Sequence, residues 1–370
     1  MENCYCAGGD DPAVDKEDEV LPRTVRKEHF GTFVEALMTA YQVMAPVSKG
    51  PQFAFEQIES PEDVGKIRMD YDITILPPKK FLMPQYEELL SFSGRGPEGV
   101  EAAVSATPVA MLGIHPYDLH AIATIDMAMC QSPPDPYYQA RRSTAFVIGL
   151  NIDNYANEHQ FMADMGTIDP PEGGFDLFLT DLGDRYYMEM GTELGSKRAK
   201  DCRVCAPAVA KDHADKQAYD AAKLANFTKR LPYNTRYLPE LLEESYDSLI
   251  WDAIAKRCFS CGTCTNVCPT CYCFDVQDKP NLDGKSGVRQ RQWDSCQLDG
   301  FAVVAGGENF RAQRAGRLRH RIFRKGKFIL ERTGKLGCVG CGRCSQHCVA
   351  KISMLETLQQ MADQSVTLDA

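Results

Sequence analysis

The sequence predicts an α/β domain over residues 25–240 followed by an α-helical domain over 241–370, and three observations predict it. In the first two thirds, short apolar runs bounded by turn residues alternate with segments of helical period, the pattern of a sheet with covering helices. The last third is punctuated by two cysteine runs, so that cysteine spacing and not hydrophobic period dictates its structure. Between the two lies a segment, 215–256, that is mostly helical in pattern and leads straight into the first cysteine run, which puts the boundary near 240. A chain of 370 residues suits two domains plus short tails. Its 44% hydrophobic and 25% charged content is ordinary globular composition, and no apolar run approaches the roughly 18 residues of a membrane span.

Taken in order, residues 1–24 form a polar, acid-rich tail, too poor in apolar residues to fold alone, yet carrying Cys4 and Cys6. From 28 to 44, Phe30, Phe33, Val34, Leu37, Tyr41 and Met44 recur at helical spacing, and Pro46 follows the end of that helix. Strands are expected at Phe53 to Ile58, Ile73 to Leu76, Val109 to Ile114, Ala145 to Leu150, Phe175 to Leu179 and Tyr186 to Met190. The helical stretch 215–256 is broken at Leu231-Pro232 and Leu238-Pro239. After Cys348, Ile352, Leu355, Leu358 and Met361 mark a closing helix packed on the cysteine region.

The start, MENCYCAGGDDPAVDKEDEV, has neither the basic residues nor the apolar stretch of a secretory signal, so a cytoplasmic setting with reduced thiols is expected. Sixteen cysteines in such a setting call for metal or redox chemistry. Cys258-Phe-Ser-Cys261-Gly-Thr-Cys264-Thr-Asn-Val-Cys268-Pro269 is C-x2-C-x2-C-x3-C-P. Cys338-Val-Gly-Cys341-Gly-Arg-Cys344-Ser-Gln-His-Cys348 repeats it with Val349 in place of proline. Three thiolates at this spacing wrap three corners of one [4Fe-4S] cube, while the fourth cysteine of the run ligates the other cluster. One cluster is therefore expected on Cys258, Cys261, Cys264 and Cys348, and a second on Cys338, Cys341, Cys344 and Cys268. A zinc site, typically two CxxC pairs with four ligands in all, does not account for two four-cysteine runs. Gly262, Gly340 and Gly342 suit loops that need positive φ and close backbone approach. The long interval between Cys268 and Cys338 points to a helical ferredoxin module.

Net charge is −10, yet residues 285–335 hold thirteen Lys/Arg against four Asp/Glu. The basic stretch Arg311, Arg314, Arg317, Arg319, Arg321, Arg324, Lys325 and Lys327 admits three readings. One is compensation of anionic clusters together with docking of an acidic partner. The others are a solvated helix face and a nucleic-acid surface.

Several stretches resemble the beta subunit of cytoplasmic sulfhydrogenases and the similar A subunit of anaerobic sulfite reductases. They are ILPPKKFLMP at 75–84, FDLFLTDLGDRYYMEMGTELG at 175–195, CPTCYCFDV at 268–276, RQRQWDSC ending at Cys296, and GCVGCGRC at 337–344. The resemblance runs from about 50 to the C-terminus. It implies an electron-transfer subunit between a flavin subunit that meets NAD(P)H or another carrier and a catalytic subunit of hydrogenase or sulfite reductase type. Members of this family usually carry a further cysteine set in the N-terminal domain. Here Tyr117, Ile152, His159 and Phe161 fall where those cysteines would be, so the resemblance implies that this cluster is missing.

Eight cysteines lie outside the runs. Cys4, Cys6, Cys202 and Cys205 make a CxC plus a CxxC that would suit a third metal site if the tail folds back; the other reading is reduced thiols near solvent. Cys271, Cys273 and Cys296 are either buried small hydrophobes or extra ligands, and Cys130 is expected in the core. No G-x-G-x-x-G loop stands between a strand and a helix, so flavin and nucleotide are expected on a partner. The functional reading is an electron relay within a cytoplasmic oxidoreductase complex. The alternatives are a part in a heterodisulfide-reductase-like or electron-bifurcating flavin complex, and a cluster-stabilised nucleic-acid module.

Overall fold

The computed structural model describes residues 21–94 and 96–366. An eight-stranded mixed sheet organises the first part of the chain. Its strands are β1 (Arg23–Arg26), β2 (Gln42–Lys49), β3 (Gln52–Ile58), β6 (Val109–Ile114), β7 (Ala145–Leu150), β8 (Leu177–Asp181), β9 (Arg185–Met190) and β10 (Cys205–Pro207), in the order β10-β1-β9-β8-β7-β6-β2-β3. Strands β2, β6, β7 and β8 run parallel in the middle, and the outer pairings are antiparallel. The central strands are near-continuous apolar runs, VAMLGI and AFVIGL, because helices cover both faces of a parallel sheet. Helices Phe30–Met38, Pro116–Met129 and Pro136–Thr144 lie within this region, and its buried core gathers Phe33, Val34, Leu112, Ile122, Ile148 and Leu179.

A second, four-stranded sheet joins β4 (Tyr86–Ser93) and β5 (Val100–Ala102) to a hairpin from the cysteine region, β11 (Phe274–Pro280) and β12 (Ser286–Trp293), in the order β11-β12-β4-β5. The pairing of β12 with β4 is anchored by charge. Arg291, 4% exposed, donates from Nε to Glu87 at 2.9 Å and also meets Asp135, while Arg141 reaches the other oxygen of Glu87. The long interval between the cysteine runs is thus not helical throughout. Its first part is a hairpin that crosses the boundary expected near 240 and becomes part of a sheet begun by the N-terminal region. Elsewhere the cysteine region combines loops with helices. Leu238–Glu244, Ile250–Ala255, Arg314–Phe323 and Met354–Val366 pack around Leu242, Trp251, Ile254, Leu318, Ile322, Leu358 and Met361.

Three expectations shift. The helix expected to 44 ends at Met38, and Gln42–Lys49 is a strand with five consecutive buried residues. Pro46 is tolerated there because β2 pairs with β6 only over Gln42–Met44, so its missing N–H forfeits no bond on that side. Ile73 to Leu76 contributes a single bridge, Thr74 with Phe53, and no strand. Leu238-Pro239 opens a helix and breaks none, as the absent N–H of proline allows in a first turn.

Candidate metal centres

The two cysteine runs fold alike. In the first, the chain leaves helix Ile250–Ala255, takes positive φ at Ser260 (55°) and Gly262 (79°), and enters the short helix Thr263–Asn266. In the second, Gly340 (69°) and Gly342 (75°) repeat the two turns before Arg343–Gln346. Each loop aims a backbone N–H at its own first cysteine, Ser260 N at Cys258 Sγ (3.4 Å) and Gly340 N at Cys338 Sγ (3.5 Å). Side chains have no room in the second loop: a Cβ on Gly340 would lie 2.7 Å from the backbone of Phe161, and one on Gly342 2.9 Å from that of His159.

The folded runs enclose two cavities. Cys258, Cys261, Cys264 and Cys348 line one, together with Arg321, Leu318 and Ile352. Cys268, Cys338, Cys341 and Cys344 line another, together with Arg321, Lys325, Phe161 and Met354. Cys344 also touches the first cavity. Among the described residues no three His, Cys, Asp or Glu converge closely enough to hold a single metal ion. Thiols spread round a cavity are the arrangement that a polynuclear cluster requires and a single tetrahedral zinc does not.

Electrostatics agree with an anionic occupant. The basic stretch divides by helical phase: Arg317, Arg321 and Lys325, at i, i+4 and i+8, are at most 5% exposed and form one buried row. The helix widens to a π turn over Arg324–Phe328, where Lys325 sits. Arg321 lines both cavities, and its buried Nε has no hydrogen-bond partner. An uncompensated buried guanidinium is strongly destabilising, so an anion in those cavities fits it. Burial alone would draw the proton from Arg321. The charge that Cys264, Cys344, Cys268 and Cys271 can carry outweighs that and holds it well above its ordinary range. Lys325 is similar: burial opposes its charge, while Cys268 and Cys271 sustain it, and its Nζ donates to Thr270 Oγ1 at 2.6 Å. Thr270 in turn sits 3.3 Å from Cys268 Sγ. Apolar surroundings push the Cys264 and Cys338 thiols up to about 12, the condition in which a metal must drive deprotonation.

The second run is also bolted to the α/β region. Arg343, between Gly342 and Cys344, is fully buried and grips Asp118 with two bonds of 2.6 Å, while its Nε donates to the Thr74 carbonyl at 2.9 Å. Lys79 spans the same junction: its Nζ donates to the Cys271 carbonyl at 2.6 Å and lies 4.2 Å from the centre of the Trp293 ring. Burial lowers its pKa to about 8.

Of the positions where the resemblance implies missing cysteines, Tyr117 and Ile152 pack into an apolar block with Val339 and Cys341, Phe161 lines the second cavity, and His159 is a half-buried loop residue. Cys202 and Cys205 are buried and share a thiol hydrogen bond at the sheet edge, where Cys205 opposes Val25; Cys4 and Cys6 lie outside the described residues. Cys271 and Cys296 are buried, Cys273 is half-buried, and Cys130 packs partly buried against the α/β core. Sequence reasoning missed Lys79, Thr270 and Arg343. All three stood inside the family-like stretches, but only tertiary contact reveals what they touch.

Two cavities, each walled by cysteines and sharing one buried cation, suit an iron–sulfur protein, and the family model of the 4Fe-4S dicluster domain matches residues 257–352. The wider chain matches too. It is 31% identical over 340 residues to sulfhydrogenase 2 subunit beta of Pyrococcus furiosus, covering 92% of this chain and 98% of that one, so the protein belongs to the sulfhydrogenase beta-subunit family. It is an iron–sulfur electron-transport subunit of an oxidoreductase complex. Among the described residues no helix is long and apolar enough to cross a membrane.

Proposed function

We propose that the chain relays electrons through two [4Fe-4S] clusters between a flavin- and NAD(P)-binding subunit and a catalytic redox subunit. One cluster rests on Cys258, Cys261, Cys264 and Cys348, the other on Cys338, Cys341, Cys344 and Cys268. The observation that carries this reading is the lining of the two cavities by these two sets, with Arg321 between them. When bound, each cube supplies storage for a single electron.

The chain's own residues do the rest. Arg321 sets a positive charge against both sites and Lys325 against the second alone, which favours the reduced, more negative state of each. Phe161 and Met354 keep water from the second site. At the first, Cys261 is exposed, and Phe259 and Val349 stand 69% and 71% exposed beside it, so this is the edge through which a partner exchanges electrons. The α/β region of 25–240, which clamps the second site through Arg343, serves as the inner docking body.

The relative is a sulfhydrogenase subunit, which favours a hydrogenase-type catalytic partner here over one of sulfite reductase type. Anaerobic purification of the native complex tests this. Co-purification with a flavoprotein and a nickel-containing subunit is expected. A sirohaem partner would move the assignment to sulfite reduction, a heterodisulfide-reductase-type partner to the bifurcating alternative, and recovery on nucleic acid would contradict the relay.

A further inference from the structure

Three thiols beside the clusters take no part in the ligand sets. Two of them are paired by the fold. Cys273 precedes β11 and Cys296 follows β12, at the root of the hairpin where Phe274 opposes Trp293 and Asp294 N donates to the Cys273 carbonyl at 3.0 Å. There the two side chains hydrogen-bond thiol to thiol. Cys296 is 3% exposed and its sulfur accepts a long contact from Gln297 Nε2 at 3.8 Å, while Cys273 is half-buried toward the surface.

The pair sits within the cluster environment. Gln297, adjoining Cys296, lines the first cavity, and Cys296 and Cys264 feel each other's charge. Lys325, which lines the second cavity, acts on both Cys273 and Cys296, and Arg321, which lines both cavities, acts on Cys296. The shared hydrogen bond makes the first proton of the pair easy to remove, from Cys296, and the second hard, from Cys273. A dithiol with one acidified member, beside cations that stabilise its thiolate, has the makings of a redox couple.

We propose that Cys273 and Cys296 form a redox-active dithiol/disulfide, a two-electron store in exchange with the two one-electron clusters. In the reducing direction the Cys273–Cys296 sulfur–sulfur bond breaks. One electron comes from each reduced cluster and two protons come from solvent, giving two thiols and two oxidised clusters. The oxidising direction is the reverse, with the oxidised clusters as acceptors. The arrangement lets a relay of single-electron carriers accept or release electrons in the pairs that a flavin or a hydride donor handles. It rests on the two-cluster reading above.

The test uses the cluster-loaded full chain, poised with mediators over a range of potentials, quenched in acid, alkylated and mapped by fragmentation mass spectrometry. A Cys273–Cys296 disulfide is expected in oxidised samples and two alkylated thiols in reduced ones. Coulometric reduction is expected to take about four electrons per chain, and about two in Cys273→Ser and Cys296→Ser variants that keep their iron. Mapping the unaltered chain does not depend on how the variants fold. Full iron content with no disulfide at any potential would overturn the dithiol and leave the relay standing, whereas a mapped disulfide on a chain with one cluster's iron would overturn the relay reading. Loss of iron in both serine variants, or an unchanged electron count, would also overturn the proposal, since the pair would then be ligand or staple.

Discussion

The two cysteine runs share one loop fold and differ in what surrounds them. The first opens to the surface through Cys261, Phe259 and Val349; the second is pressed against the α/β region, with Cys341 7% exposed and Arg343 fully buried between its cysteines. Duplication therefore supplied the ligand geometry, and position in the fold supplied the division of labour. In the proposed relay the outer site meets a partner, while the inner one is fixed to the body of the protein through Arg343 and Asp118. The same contrast appears in the cations, since Arg321 serves both sites while Lys325 serves the inner one.

Breaking one site at a time gives the largest effects. Cys261→Ser is expected to lower iron to about half and leave the inner cluster's EPR signal, because the exposed loop can rearrange alone. Cys341→Ser is expected to remove most iron from both sites, since the inner loop is also the seat of the helix that presents Cys348. Chelator or air should likewise strip the outer site first. Equal loss from the two variants would erase the distinction between the sites.

Next comes the clamp. Asp118→Asn or Arg343→Ala leaves a buried charge without its partner, a change that destabilises by about 3–5 kcal/mol. Thermal unfolding should show it, with the inner cluster lost before the outer. A smaller effect separates the cations. Arg321→Met should lower both midpoint potentials and Lys325→Met mainly the inner one, by about 60 mV for each ~1.4 kcal/mol of lost stabilisation. Potentiometric EPR measures both.

The smallest effect concerns His115, which stacks on Tyr71 with ring centres 4.0 Å apart and meets the Tyr117 hydroxyl at 2.8 Å, close behind the clamp. Burial, aided by the Arg343 charge, lowers its pKa from 6.5 to about 3. The folded state therefore holds the ring neutral while the unfolded chain takes up a proton, so this contribution is intact above about pH 6.5 and is lost as pH falls toward 3. His115→Phe should flatten that slope in urea titrations; an unchanged slope would assign acid lability to other groups.

The dicluster domain was legible in the sequence because cysteine spacing is a local property: the duplicated run and its glycines need only a few consecutive residues to declare themselves. The central strands were legible for the same reason, being continuous apolar runs. What escaped depends on distant partners. Nothing in Lys79 or Arg343 announces the Cys271 carbonyl or Asp118, and β2 read as a helix because Tyr41 and Met44 continue the period of the helix before it. The hairpin 274–293 was not expected, since what pins it is a distant ion pair: Arg291 is buried on Glu87. The basic stretch itself resolved only when helical phase separated the buried Arg317, Arg321 and Lys325 from their half-buried neighbours and the exposed Arg314.

The central claim is that this chain holds two cubic clusters in unlike surroundings. Iron and acid-labile sulfide analysis of the anaerobically purified protein, with EPR of the dithionite-reduced sample, tests it most directly. The account predicts about eight irons and eight sulfides per chain and two interacting reduced-cluster signals. About four irons, or zinc in place of iron, would contradict it.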